Sequence, residues 1–158
     1  MVVGLRRETV DNLLMSVVGA VFAVNILLLS GVTTEVTPAL DVLVILGWIV
    51  LVAGALLVIL SFVTLWRRGR DSLISFGVYK IVRHPMYVGG MMMFVSHVLF
   101  GQSIVIGFST LIGLCCCYLL VRSEELRLID KFGLEYEKYM LKVPGVNLFL
   151  GVAKALRQ

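Results

Sequence analysis

The sequence predicts an all-α integral membrane protein with four crossing helices, and three observations predict it. The first is composition: 59% of the 158 residues are hydrophobic and 15% charged, against roughly 45–50% and about 25% in soluble domains. The mean hydropathy is +1.01. The second is that the few charges leave long gaps, and the third is that every Lys and Arg falls on one side of those gaps. A domain of this size leaves much of its surface facing water, so a soluble fold has nowhere to put so many apolar residues. A soluble enzyme, a disordered chain and a disulfide scaffold are excluded on that ground.

No Asp, Glu, Lys or Arg lies between Asp11 and Glu35, between Asp41 and Arg67, or between Arg83 and Arg122. A helix needs about 20 apolar residues to cross the hydrocarbon core. Leu13 to Gly31 fits one crossing, and Val42 to Trp66 fits one with tilt or overhang. The third gap holds two crossings, divided at Gly101-Gln102-Ser103 into a helical hairpin. Pro85 opens the first arm, where its missing N–H costs nothing. Both arms are slightly short, which calls for a thinned bilayer or partial immersion. The N-terminal apolar run is too long for a secretory signal and has no A-x-A-like cleavage site, so it reads as a retained helix.

Arg6 and Arg7 precede the first crossing, and Arg67, Arg68, Arg70, Lys80 and Arg83 lie between the second and third. Arg122, Arg127, Lys131, Lys138, Lys142, Lys154 and Arg157 follow the fourth, whereas the opposite loops carry only Glu35 and Asp41. By the positive-inside rule both termini and the Arg67-to-Arg83 loop are cytoplasmic. The basic surplus of +4 then serves topology and contact with the lipid bilayer, and no nucleic-acid partner is implied. Cys115, Cys116 and Cys117 are consecutive in a helix and point in three directions, so they form neither a metal site nor an ordinary disulfide. Asn25 and His97 are expected as interhelical hydrogen-bonding groups.

The chemistry concentrates in two stretches at the cytoplasmic face. One runs from Ser72 through Gly77-Val78-Tyr79 to Arg83-His84-Pro85-Met86-Tyr87-Val88-Gly89-Gly90. It predicts a turn at Gly77, a short interfacial segment, and the start of the third helix. Pro85 disfavours helical geometry at His84, which places His84 at the helix mouth, where free N–H groups suit a carboxylate or phosphate. The same residues also read as an interfacial anchor, with Tyr79 and Tyr87 in an aromatic belt and Arg83 on headgroups.

The other stretch runs from Arg122-Ser123-Glu124-Glu125-Leu126 to Phe132-Gly133, then Tyr136, Tyr139 and Val143-Pro144. Its spacing predicts that the fourth helix continues as an amphipathic cytoplasmic helix, bent or restarted at Phe132-Gly133. Glu124 and Glu125 emerge directly from an apolar helix, where an unpaired carboxylate is costly. They require a partner: Arg83, Arg122 or a cationic ligand.

At these stretches the sequence resembles the isoprenylcysteine carboxyl methyltransferase family and the related phospholipid methyltransferases. Gly77-Val78-Tyr79, Arg83-His84-Pro85-Met86-Tyr87-Val88-Gly89, Glu124-Glu125-Leu126 and the run from Phe132 to Tyr139 carry the resemblance. It covers roughly Ser72 to Pro144, while the length allows one membrane domain over residues 1–158. Within it, residues 1–71 supply two helices and a basic loop, residues 72–144 a methyltransferase-like cofactor-binding core, and residues 145–158 a C-terminal tail. The resemblance implies that S-adenosylmethionine is held by Leu73, Ile74, Tyr79, His84, Pro85, Met86, Tyr87, Glu124 and Glu125. Arg122 is the nearest match to an arginine that orients the substrate, and it is paired with Glu124 as the positioning residues of the reaction. Asp71 stands where a His often precedes the cofactor segment.

The expected activity is methyl transfer to a lipophilic or prenylated acceptor, foremost the carboxylate of a prenylcysteine-like group. Such a displacement requires alignment of donor and acceptor and exclusion of water, and calls for no metal. The alternatives are N-methylation of a phospholipid amine, an NADPH-dependent membrane reductase, and a non-enzymatic four-helix membrane protein.

Overall fold

The computed structural model describes residues 2–31, 38–68 and 72–156, with side chains from Arg7 onward in the first helix and from Val42 to Arg67 in the second. Glu35, Arg70, Asp71 and Arg157 lie outside the described residues, as do the side chains of Arg6, Asp41 and Arg68. The described residues form α-helices and one 3₁₀ turn, with no strand.

The apolar runs become α1 (Val2–Ser30), α2 (Pro38–Arg68), α3 (Pro85–Gly101) and α4 (Ile104–Phe132). Three spans are long and apolar enough to cross a membrane: Arg7–Ser30, Val42–Arg67 and Ile104–Phe132. The chain is thus a multi-pass membrane protein. α3 has 17 residues, about 25 Å at 1.5 Å per residue, which is short of the roughly 30 Å hydrocarbon core. It is sheltered by packing mainly on α2, while α1 packs mainly on α4.

The packing fixes the direction of each helix. Gly54 and Gly89 let α2 and α3 touch backbone to backbone: a Cβ on Gly89 would stand 2.5 Å from the Gly54 carbonyl oxygen. Nearer the other end of the bundle, Gly47 sits against Leu99 and Phe100, so α2 and α3 run antiparallel. Asn25 in α1 donates to Thr110 Oγ1 in α4 at 3.0 Å and accepts from Ser109, while Asp11 pairs with Arg127 further along. These two contacts make α1 and α4 antiparallel. His97 behaves differently from Asn25. Its ring packs on Phe22 and Phe94, with centroids 4.7 and 6.2 Å apart, and its buried Nδ1 has no hydrogen-bond partner among the described residues. The expected pair of interhelical hydrogen bonds therefore reduces to the one at Asn25, because aromatic neighbours surround the histidine.

Local chemistry sets the boundaries. α3 begins at Pro85 with His84 as its N-cap, and ends at Gln102, whose left-handed φ of 42° turns the chain into α4. The interfacial segment is a 3₁₀ turn, Gly77–Lys80, started by Gly77 at φ 60°. Gly133, at φ 54°, breaks α4 from α5 (Leu134–Lys142) as the sequence leads one to expect. Tyr136, Tyr139 and Val143 then bury themselves against Leu73, Leu128, Ile129, Phe132 and Met140. Leu126, in the same stretch, is about half exposed. The segment expected as a plain tail carries a further helix, α6 (Leu148–Ala155), capped by Asn147.

Candidate active site

At one end of the bundle a cavity of about 570 Å³ is walled by α1, the Ser72–Ile74 segment, the start of α3, the end of α4, and α5. That volume is of the size that small-molecule ligands occupy. Leu73, Ile74, Tyr79, His84, Pro85, Met86, Tyr87 and Glu124 all line it. Two stretches far apart in sequence thus meet here because α3 and α4 form a hairpin whose open end is this one. Glu125 and Arg122, from the same reading, are not part of the lining.

Glu125 lies behind the cavity wall. It is 6% exposed, and its Oε1 sits 3.0 Å from Arg83 Nη2 and 3.5 Å from His84 Nε2. Its Oε2 accepts from Arg122 Nη1 at 3.2 Å. The partners of Glu125 are therefore Arg83 and Arg122 together, with Arg122 reaching in from the exposed face of α4. Residues 144–145 close over this group. Arg83 N–H donates to the Pro144 carbonyl at 2.9 Å and His84 N–H to the Gly145 carbonyl at 3.2 Å. Gly145 packs closely on the pair: a Cβ there would stand 3.2 Å from Arg83 Nη2 and 3.3 Å from Glu125 Oε1.

Adjacent helical residues diverge by about 100°, and Glu124 accordingly faces the cavity. Its Oε2 is 3.6 Å from Arg127 Nη1. Arg127 also binds Asp11, a buried α1 carboxylate that accepts from Ser123 Oγ at 3.0 Å. Asp11 and Glu8 bring α1 into the cavity wall. In the sequence Asp11 carries no assigned role, and Arg127 counts only among the cations that set topology. The only signal available was the position of Asp11 at the very edge of an apolar run, where a carboxylate needs a cation.

Several donors at this end remain unsatisfied. Arg83 Nε and Nη1 and Tyr136 Oη are buried without a hydrogen-bond partner among the described residues, His84 Nε2 has only its long 3.5 Å approach to Glu125 Oε1, and all three side chains line the cavity. The Arg83 guanidinium lies 6.0 Å over the Tyr136 ring. Burial pushes the Tyr136 phenol above its ordinary pKa, although Arg83 opposes the shift, so the phenol stays a donor at neutral pH. Burial also raises the Tyr139 phenol, which donates to the Tyr79 carbonyl. Tyr79 Oη and Ser61 Oγ share a hydrogen bond of 2.7 Å, tying the 3₁₀ turn to α2. Buried donors of this kind are normally paired, and here they surround a cavity whose lining also carries Glu124. The arrangement suits a ligand with an anionic group and a nearby cationic one.

The sequence matches the family model for phospholipid methyltransferases over residues 42–135, more than half of the chain. That range takes in α2, α3, α4 and the Ser72-to-His84 connection, and so most of the cavity wall. No curated protein matches the chain, and neither does any solved structure.

Proposed function

This chain belongs to the phospholipid methyltransferase family, and from that premise we propose that it transfers methyl groups from S-adenosylmethionine to a lipid acceptor at the cytoplasmic face of the membrane. The supporting observation is the cavity that sets unpaired donors on Arg83 and Tyr136, and the weakly paired His84, beside Glu124. The methionine end of the cofactor is a zwitterion, and this lining complements both of its charges. Arg83, His84 and Tyr136 receive the carboxylate, aided by the N-terminal dipole of α3. Glu124 takes the ammonium or the ribose hydroxyls. Tyr87 offers an aromatic face to the sulfonium or the adenine, and Leu73, Ile74, Pro85 and Met86 supply apolar walls. Bound there, the cofactor would supply an electrophilic methyl carbon to the acceptor's lone pair, the pair of the broken C–S bond remaining on the thioether sulfur.

The residues of the chain position and exclude. Glu125 lies outside the cavity and, with Arg122, holds Arg83 in place. Arg127 is a cation on the cavity side of α4, as is Lys131, and Arg127 takes over the substrate-orienting role that Arg122 carried in the motif. With an amine acceptor, Glu124 or His84 accepts the proton released by the amine. The family favours a phospholipid amine as acceptor, while the Arg83-to-Gly89 and Glu124-Glu125 motifs favour a prenylcysteine-like carboxylate. The open end of the cavity faces the cytoplasm because the cations gather there, and α3 crosses the membrane with α1, α2 and α4.

Binding of S-adenosylmethionine to the intact protein in detergent tests this reading. Glu124→Ala and His84→Ala are each expected to weaken binding by roughly 10- to 100-fold, the loss of a charge-assisted hydrogen bond. Full affinity in both variants would remove the site from this cavity. Stabilisation by NADPH and not by S-adenosylhomocysteine, read as a melting shift, would point to a reductase. Labelled methyl groups transferred to a lipid extract then identify the acceptor. A methyl ester releases volatile label in alkali, whereas an N-methyl group retains it.

A further inference from the structure

We infer that α6 (Leu148–Ala155) is a membrane-surface helix, seated with its outer face in the headgroup region of the same bilayer that the bundle crosses. At about 100° per residue, Val152, Leu156, Phe149 and Leu150 cover nearly half of its circumference. Their exposures are 42, 83, 88 and 46%. The inner face is narrow: Gly151 is buried, and a Cβ there would stand 2.1 Å from the Ile81 carbonyl oxygen. The helix thus lies against the backbone of the chain and turns its large apolar side chains outward. Such a face is unfavourable in water and is the signature of a helix lying in an interface.

Two further observations name a lipid surface as the occupant. Ile81 stands just before α3 begins at Pro85, so contact with it holds α6 at the level where the apolar bundle ends. From Lys138 to its end the chain carries Lys142, Lys154 and Arg157 and no Asp or Glu, a charge pattern that fits anionic headgroups. The seat matters because α6 follows directly on residues 144–145, whose carbonyls hold the Arg83 and His84 backbone. Anchoring α6 anchors that strap. The inference goes beyond the methyltransferase reading and does not depend on it.

The test uses full-length protein carrying Trp48→Phe and Trp66→Phe with Phe149→Trp, reconstituted in phosphatidylcholine–phosphatidylglycerol vesicles. Quenching of the introduced indole by bromine-labelled acyl chains, with weak quenching by acrylamide, is the expected result. Leu156→Trp, on the same stripe, is expected to behave alike and guards against a local misfold at one position. Acrylamide quenching without any effect of brominated lipid would place the face in water and overturn the inference. Protection from both quenchers would assign the face to a second copy of the chain and overturn it equally.

Discussion

Glu124 and Glu125 are neighbours with opposite duties, and the difference lies in which way each side chain leaves the helix. Glu125 is buried beside Arg83, which is itself about nine-tenths buried. Removing one member of such a pair strands the other charge in an apolar setting, at a cost of about 3–5 kcal/mol. Glu125→Gln is therefore expected to lower the melting temperature in detergent sharply, with no ligand present. Arg122→Ala removes a largely exposed partner and is expected to cost less than about 1 kcal/mol. Equal melting of Glu125→Gln and wild type would show that this carboxylate does not hold the arginine. The sequence could say that the two acids needed partners, since both leave an apolar run. It could not say which faced the cavity, because that depends on how α4 is rotated against α3. Asp11 was harder still, because its cation is Arg127, 116 positions away.

Helix ends were legible where one residue dictates local backbone geometry. Pro85, Gln102 beside Gly101, Gly77 and Gly133 all stand at the boundaries their chemistry predicts. α6 was not legible, since eight mostly apolar residues show no charge alternation to distinguish a helix from a tail. Gly89 and Gly90 are indistinguishable in the sequence, and the structure separates the two. Gly89 meets the Gly54 backbone, while a Cβ on Gly90 meets nothing within 4 Å. Gly89→Ala forces α2 and α3 apart and is expected to destabilise by about 1–3 kcal/mol. Gly90→Ala is expected to be neutral or to stabilise by up to about 1 kcal/mol, through helix propensity alone. Thermal melts of the two variants side by side check this, and an equal loss in both would mean that α2 and α3 do not cross at Gly54.

Across the whole molecule, one antiparallel arrangement accounts for where the charges lie. The Asp11–Arg127 pair, the Ser61–Tyr79 hydrogen bond and the Arg83–Glu125 pair all sit at the cavity end. They mark the start of α1, the end of α2, the start of α3 and the end of α4. The α3–α4 turn at Gln102-Ser103 therefore lies at the far end, together with the end of α1. These contacts support the proposed reading of four crossings, in which α3, too short to declare itself a span, crosses with the three longer helices. Its ends can be accommodated because α2 covers it and because local thinning costs only fractions of a kcal/mol per Å. An even number of passages puts both termini on one side, and a three-pass chain would put them on opposite sides. Protease-cleavable tags at the two ends, probed in right-side-out and inverted vesicles, distinguish these cases. Both tags are expected to be cut only in inverted vesicles, the orientation in which the cytoplasmic face is outside. Cleavage of one tag in each orientation would leave α3 as a re-entrant segment, and the cavity would then need a different account of how a lipid reaches it.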